Sequence, residues 1–347
     1  MTAIDTALAP APQIDFDRFP QFPLCHRMTP IEAMPRLSDA LGGPKLFVKR
    51  DDCTGLATGG NKTRKLEFLL GEAVAEGADM LVTQGAVQSN HVRQTAAAAC
   101  RAGMKCHALL EHRVPNTTKE YTESGNVFLD KVFGCTIEYR PAGLDMKAEA
   151  LAVTERLRAE GHNPYFIPGG GSNATGALGY ALCAQEIVQQ DLPEGGAVDW
   201  IVTATGSTGT HAGLVAGLHT LGSEIPVMGI SVRQPRERQI AAVNALTQKT
   251  LEKLGAPAAP ESKVMVDDGY IGEGYGIPAP STLEAINMTA RTEGMLLDPV
   301  YSAKGMAGLI GLVREGFFKP TDNVLFLHTG GATALFAYEE LVLNSLG

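Results

Sequence analysis

The strongest constraint on this chain is an alternation repeated along most of its length. A short apolar run gives way to a small or polar turn, and then to a longer segment with helical spacing. Strand-like runs fall at KLFVKRDD (45–52), DMLVTQG (79–85), KCHALLE (105–111), CTIEYRP (135–141), PYFIPGGG (164–171, a strand and turn) and PVMGISV (226–232). Helical spacing marks 60–78, 89–103, 124–134, 146–161, 172–190, 281–294 and 302–316. Residues 199–222 and 323–342 each read as strand, loop and helix. In 60–78 the apolar positions Leu66, Leu69, Leu70, Ala73 and Val74 form one stripe, and Asn61 is placed to cap the helix start. Strands alternating with helices predict an α/β fold with parallel sheets flanked by helices. Ligands in such folds lie beyond the carboxyl ends of the strands, where the polar loops gather. No internal repeat or low-complexity linker interrupts the pattern. Residues 59–167 and the remainder each hold enough strands for a sheet of their own.

The 347 residues, 44% hydrophobic and 19% charged, are enough for two ordinary domains. A net charge of −9 argues against nucleic acid as a partner, although a local basic pocket can still take a small anion. None of the six cysteines forms a C-x-x-C pair or a zinc-finger spacing, which predicts free thiols in a reducing cytosol and no metal. The start, MTAIDTALAPAPQIDF, lacks the basic and apolar regions of a signal peptide and reads as a loose arm over residues 1–17. No stretch has the apolar length of a membrane span. A soluble, cytoplasmic protein is expected.

Two loops carry chemistry. GGNKTRKLEFL (59–69) starts a helix with Lys62, Arg64 and Lys65 crowded into its first turn, the positive end of the helix dipole. These are either three solvated bases or groups facing something negative. An ammonium held there should lose basicity and become a nucleophile suited to Schiff bases. The loop TGSTGTH (205–211) joins a strand to a helix with almost only Gly, Ser and Thr. It is either a tight capped turn or a phosphate cradle of backbone N–H groups. It lacks the Gly-Lys-Ser/Thr of a nucleotide-binding P-loop, and Gly206, Gly209 and Gly213 do not have dinucleotide spacing. QSNHVR (88–93) opens another helix that could hold a carboxylate or simply be capped by Ser89 or Asn90. In HTGG (328–331) His328 reads as a core histidine, and Thr329 lies at the strand end facing a ligand. A phosphate cradle together with a Schiff-base lysine suggests pyridoxal 5′-phosphate. A dehydrogenase using the 205–211 loop for a nucleotide and a non-catalytic phosphate-binding protein are the competing classes.

KRDDCTGLATGGNKTRKLEFL, TQGAVQSNHVRQTAAAA, ATGSTGTHAG, GEGYGIP, EGMLLDPVYSAKGMAGLI and LHTGGATALFAY together resemble the pyridoxal-phosphate enzymes of fold type II, the tryptophan-synthase-β-like group, over residues 18–342. They are similar to the branch holding D-cysteine desulfhydrase, L-cysteate sulfo-lyase and 1-aminocyclopropane-1-carboxylate (ACC) deaminase. The resemblance implies two domains, each an open, mostly parallel twisted sheet flanked by helices, with the active site in the cleft between them. Residues 1–58 with 168–347 would form the large cofactor-binding domain, and 59–167 the small domain carrying the lysine. It also implies a homodimer.

Residue by residue, the resemblance makes Lys62 the Schiff-base lysine and Cα proton base, and Lys65 a neighbour of the phosphate. Gly206, Ser207, Thr208, Gly209 and Thr210 match the phosphate loop, Asn90 the partner of the cofactor's ring oxygen, and Thr329 that of the pyridine nitrogen. Gln88, Ser89, Asn90 and His91 match the substrate-carboxylate site, with Ser89 also able to move protons. Tyr275 and Tyr301 match two active-site tyrosines. The deaminase carries an acid after the second tyrosine, where this chain has Ser302. DDCTGLATGGNKTRK and RQPRER (233–238) look more like the cysteate enzymes than the desulfhydrases. The implied reaction is α,β-elimination of L-cysteate to pyruvate, sulfite and ammonia, with D-cysteine desulfhydration as the alternative. A sulfonate needs an additional cation, for which Arg233, or less well Arg236, is the candidate; the competing reading of 233–238 is a solvated basic loop after a strand.

Overall fold

A computed structural model describes residues 13–116 and 118–346. The chain order opens with β1 (Ile31–Ala33), α1 (Pro35–Leu41), β2 (Lys45–Lys49), α2 (Lys62–Ala75), β3 (Met80–Ala86), α3 (Asn90–Ala102) and β4 (Lys105–Glu111). It continues through α4 (Lys119–Glu123), α5 (Gly125–Val132), β5 (Thr136–Arg140), α6 (Met146–Ala159), β6 (Pro164–Phe166) and α7 (Ala174–Gln189). Then come β7 (Trp200–Thr205), α8 (Gly209–Thr220), β8 (Val227–Ser231), α9 (Arg236–Leu254) and β9 (Val264–Asp267). The last elements are α10 (Pro280–Glu293), α11 (Ser302–Arg314), β10 (Asn323–Leu327) and α12 (Glu339–Asn344).

Among the described residues the strands form two sheets, ordered β1-β2-β10-β7-β8-β9 and β5-β4-β3-β6. Every pairing is parallel except β1 with β2. Such sheets are covered on both faces, so their strands are buried almost throughout, as in β7 and β8. Local signals set several helix ends. Asp145 caps α6 by accepting from the Lys147 and Ala148 N–H groups, and Arg156 and Arg158 lie in its last turn. Among the described residues no helix is long and apolar enough to cross a membrane.

The sequence pattern and the structure part in four places. Asn61 does not cap α2; it has helical φ/ψ and donates from Nδ2 to Thr210 Oγ1 at 2.9 Å. The second half of 233–238 is not loop, because Arg236 begins the 19-residue α9. After β10 the chain forms a 3₁₀ turn at Ala332–Ala337 and the short α12 rather than one helix. Of the expected loose arm, residues 1–12 lie outside the described residues. Ile14 and Phe16 are buried, the Phe16 ring 6.0 Å from that of Phe68 on α2.

Behind the first turn of α2 lies a buried ionic network. Arg64 donates from Nε and Nη2 to Asp51 at 2.8 and 2.9 Å, and from Nη1 and Nη2 to Glu186 of α7 at 2.9 and 2.8 Å. Lys49 at the end of β2 also meets Glu186, at 3.0 Å, and Tyr180 donates to Asp51 at 2.6 Å. Burial pushes the Asp51 carboxyl up, but Arg64, Lys49 and Tyr180 outweigh it and hold the group below the usual range. Gly179 lets α7 close on this turn, since a Cβ there would lie 2.3 Å from the Arg64 carbonyl oxygen. Removing one member of such a network strands the opposite charges in a dry interior. Arg64→Met is therefore expected to lower the unfolding free energy by about 3 kcal/mol or more, measured by urea denaturation. A loss near zero would show that the network contributes nothing to stability.

Candidate active site

The carboxyl ends of both sheets face a cavity of about 570 Å³. One wall is the turn from β7 into α8. Gly206, Ser207, Thr208 and Thr210 line the cavity, and the N–H groups of the first turn of α8 begin there. Thr208 has φ +75°, the left-handed region that non-glycine residues seldom adopt. Gly209 lies just behind. A Cβ there would be 2.8 Å from Ser172 Oγ and 2.9 Å from Lys65 Nζ, so a larger residue would displace the two side chains that hold the turn. Ser172 fixes the loop from outside, accepting from Gly209 N–H at 3.1 Å and donating to Ser207 Oγ at 3.0 Å. Lys65 is fully buried under the turn and donates to the Gly170 carbonyl at 3.1 Å. Burial, and then the charge of Lys62, hold its pKa well below the usual lysine range. These donors without an acid among them make a site for a phosphate ester.

Lys62 is the first residue of α2 and reaches the cavity. Its Nζ donates to Asn61 Oδ1 at 3.1 Å and lies 5.9 Å from the centre of the Tyr301 ring. By surface exposure the residue is only half-buried, because it borders the cavity. It nevertheless sits deep in the protein, and that burial lowers its pKa to about 8. Asp298 opposes the shift, and Arg93 adds to it. Sequence reasoning assigned the lowering to Arg64, Lys65 and the helix dipole; the structure assigns it chiefly to burial. Arg64 is neutralised by Asp51 and Glu186 on the far side of the helix.

Opposite Lys62, the hydroxyls of Tyr275 and Tyr301 are in hydrogen-bond contact, with their rings 5.7 Å apart edge to face. Asp298 anchors the Tyr301 turn by accepting from the N–H groups of Tyr301 and Ser302 at 3.0 and 2.7 Å. Ser302 is buried and donates from Oγ to the same carboxylate at 2.7 Å, away from the cavity. Thr329, beyond β10, lines the cavity, and its carbonyl accepts from Asn61 N–H at 3.0 Å. Next to it His328 is buried, accepts from Gly330 N–H and is kept neutral by burial, as befits a core histidine.

The start of α3 contributes Ser89, Asn90 and His91 to the cavity wall. Ser89 also caps the helix, accepting from Val92 N–H at 3.2 Å. His91 is buried with Nε2 2.8 Å from Thr83 Oγ1, and burial followed by Lys62 and Lys65 keeps it neutral. Gln88 is not brought to the cavity. Its amide instead donates to the Tyr121 and Ser124 carbonyls at 2.6 and 3.0 Å and accepts from Asn126 N–H at 2.9 Å. Those bonds use up a side chain the sequence had assigned to substrate.

Arg233, just past β8, lines the cavity, whereas Arg236 is the first residue of α9, its N–H donating to the Asp268 carboxylate at 2.8 Å, and it does not line the cavity. Sequence reasoning missed Arg113. It lies two residues past β4, lines the cavity, packs 5.2 Å from the centre of the Tyr275 ring and pairs with Glu111. Its place after a strand's carboxyl end was the available signal.

Residues 23–330 match the family of pyridoxal-phosphate dependent enzymes. The chain belongs to this family. A crystal structure of an ACC deaminase homologue superposes with a TM-score of 0.86 at 36% identity, covering 95% of this chain and 97% of that one. A fungal L-serine ammonia-lyase from Rhizomucor miehei matches at TM-score 0.66 and 17% identity, over 91% of this chain and 97% of that one. The processed form of threonine deaminase isoform 2 from Solanum lycopersicum matches at 0.64 and 17%, over 92% and 84%. The last two show the fold alone, which is that of fold type II pyridoxal-phosphate enzymes.

The cofactor is therefore pyridoxal 5′-phosphate, and the residues present fit it. The 206–210 turn with Lys65 suits the phosphate, and an enclosed amine of lowered pKa stands in the same cavity. An amine attacks an aldehyde only when unprotonated, so capture of the cofactor by Lys62 should accelerate as pH rises through about 8 and then level off. Stopped-flow absorbance on cofactor-depleted protein measures this. A rate still climbing steadily between pH 9 and 10.5 would indicate an ordinary solvated lysine.

Proposed function

We propose that this enzyme is a carbon–sulfur lyase acting on L-cysteate. The overall change is L-cysteate plus water to pyruvate, ammonia and sulfite. The supporting observation is Arg233, at the cavity wall with no hydrogen-bond or ion-pair partner among the described residues. An unpaired guanidinium beside the site suits a substrate with a second anionic group, and its planar fork matches sulfonate oxygens.

When bound, the cofactor supplies an aldehyde that captures amines and a pyridine ring that withdraws electrons from Cα. Lys62, Lys65, Asn90, Thr329 and residues 206–210 would hold it. The N–H groups at the start of α3, with Ser89 and His91, would orient the substrate carboxylate. With a pKa near 8, Lys62 Nζ can take the Cα proton and give it up again without a large cost in either direction. The paired hydroxyls of Tyr275 and Tyr301 would hold a proton near the departing group. Arg233 would keep the sulfonate in place until the Cβ–S bond breaks.

D-cysteine desulfhydration is the alternative on the same framework. The deaminase reading is weaker, since the position after Tyr301 is Ser302, committed to Asp298 rather than to the cavity. Assays of the holoenzyme with L-cysteate, D-cysteine and ACC, following pyruvate or α-ketobutyrate, should show highest kcat/KM for L-cysteate. Losing a charge-assisted hydrogen bond costs about 1.5–3 kcal/mol. Arg233→Ala should thus raise KM for L-cysteate about tenfold or more and leave D-cysteine within about twofold. Equal effects on both substrates would remove Arg233 from the sulfonate site.

A further inference from the structure

Asn126 is the second residue of α5 and does not line the cavity, yet its hydrogen bonds decide what Asn90 presents there. Arg93 Nη1 and Thr333 Oγ1 both donate to Asn126 Oδ1, each at 2.9 Å. A guanidinium has no acceptor, so the Asn126 atom facing it must be the amide oxygen. The Asn126 Nδ2 group is thereby turned the other way, 2.9 Å from Asn90 Oδ1 and 3.3 Å from the Gln88 carbonyl. An amide NH₂ only donates, so the Asn90 atom that meets it must in turn be oxygen. Arg93 Nη1 lies 3.4 Å from the same oxygen, a weaker contact in the same sense. Asn90 is left with its Nδ2 free of any partner among the described residues, in a residue that lines the cavity.

We infer that Asn126 is a positioning residue that fixes Asn90 as a hydrogen-bond donor toward the cofactor's ring oxygen, the orientation being relayed from the buried cation of Arg93. The inference rests on the reading that Asn90 faces that oxygen. Arg93 is fully buried and also donates to the Gly59 carbonyl at 2.8 Å, so the relay joins the turn before Lys62 to the start of α3. The direction of one amide in the site is thus set by a charge that does not touch the ligand.

Asn126→Asp tests this with almost no change of shape. The carboxylate still accepts from Arg93 and Thr333 but cannot donate to Asn90. The Asn90 amide then turns to give its NH₂ to the carboxylate, and an oxygen faces the ring oxygen of the cofactor. The holoenzyme should show a displaced cofactor absorption band and at least tenfold weaker cofactor binding, measured by absorbance and by titration of depleted protein. Asn90→Asp, which can offer only oxygens, should displace the band in the same direction. Asn126→Asp added to Asn90→Asp should displace it no further. Asn126→Ala, which frees the Asn90 amide without reversing it, should give a smaller shift of the same sign and serves if the aspartate variant does not fold. A normal band and affinity in the Asn126 variants, with Asn90→Asp shifted, would overturn the relay alone. An unshifted band in Asn90→Asp would overturn the reading beneath it as well.

Discussion

The placement of the site depends on where Arg64 puts its charge. Its guanidinium is enclosed between Asp51 and Glu186 and spans α2, the turn after β2 and α7. Two cations, Arg64 and Lys49, there face two carboxylates, so the cluster is neutral as a whole. Neutrality and complete hydrogen bonding make such burial tolerable. The consequence is geometric. With α2 pinned from behind by Arg64, the opposite face of its first turn looks into the cavity.

Helix geometry then sorts the three crowded bases. Residues three apart lie on one face, and residues two apart point to nearly opposite sides. Lys62 and Lys65 accordingly look toward the cavity and its 206–210 turn, while Arg64 looks away. The two lysines lack acidic partners among the described residues, and burial lowers both pKa values. An interior that disfavours ammonium ions keeps one amine reactive and favours an anion beside the other. The unusual cluster at a helix N-terminus is therefore three residues with three destinations.

Much of this was legible in the sequence. The alternation of strand and helix located the parallel sheets, and the small-residue turn after β7 marked one wall of the cavity. Lys62, Ser89, Asn90, His91, Arg233, Tyr275, Tyr301 and Thr329 all reach that cavity. What failed to show depends on partners distant in sequence. Arg64 meets Glu186 122 residues away, and Asn61 turns from capping α2 to meet Thr210 149 residues away. Gln88 looks like a ligand group until Tyr121, Ser124 and Asn126 pack against it. Local pattern carries periodicity and turn chemistry, but it does not say which polar side chain finds a partner across the fold.

The amine of Lys62, and no other, is expected to bond covalently to the cofactor. Borohydride reduction of the holoenzyme followed by peptide mass spectrometry tests it most directly. A single reduced pyridoxyl adduct on Lys62 is the predicted result. An adduct on Lys65 or Lys304, both also buried with lowered pKa values, would contradict the account, as would the absence of any adduct.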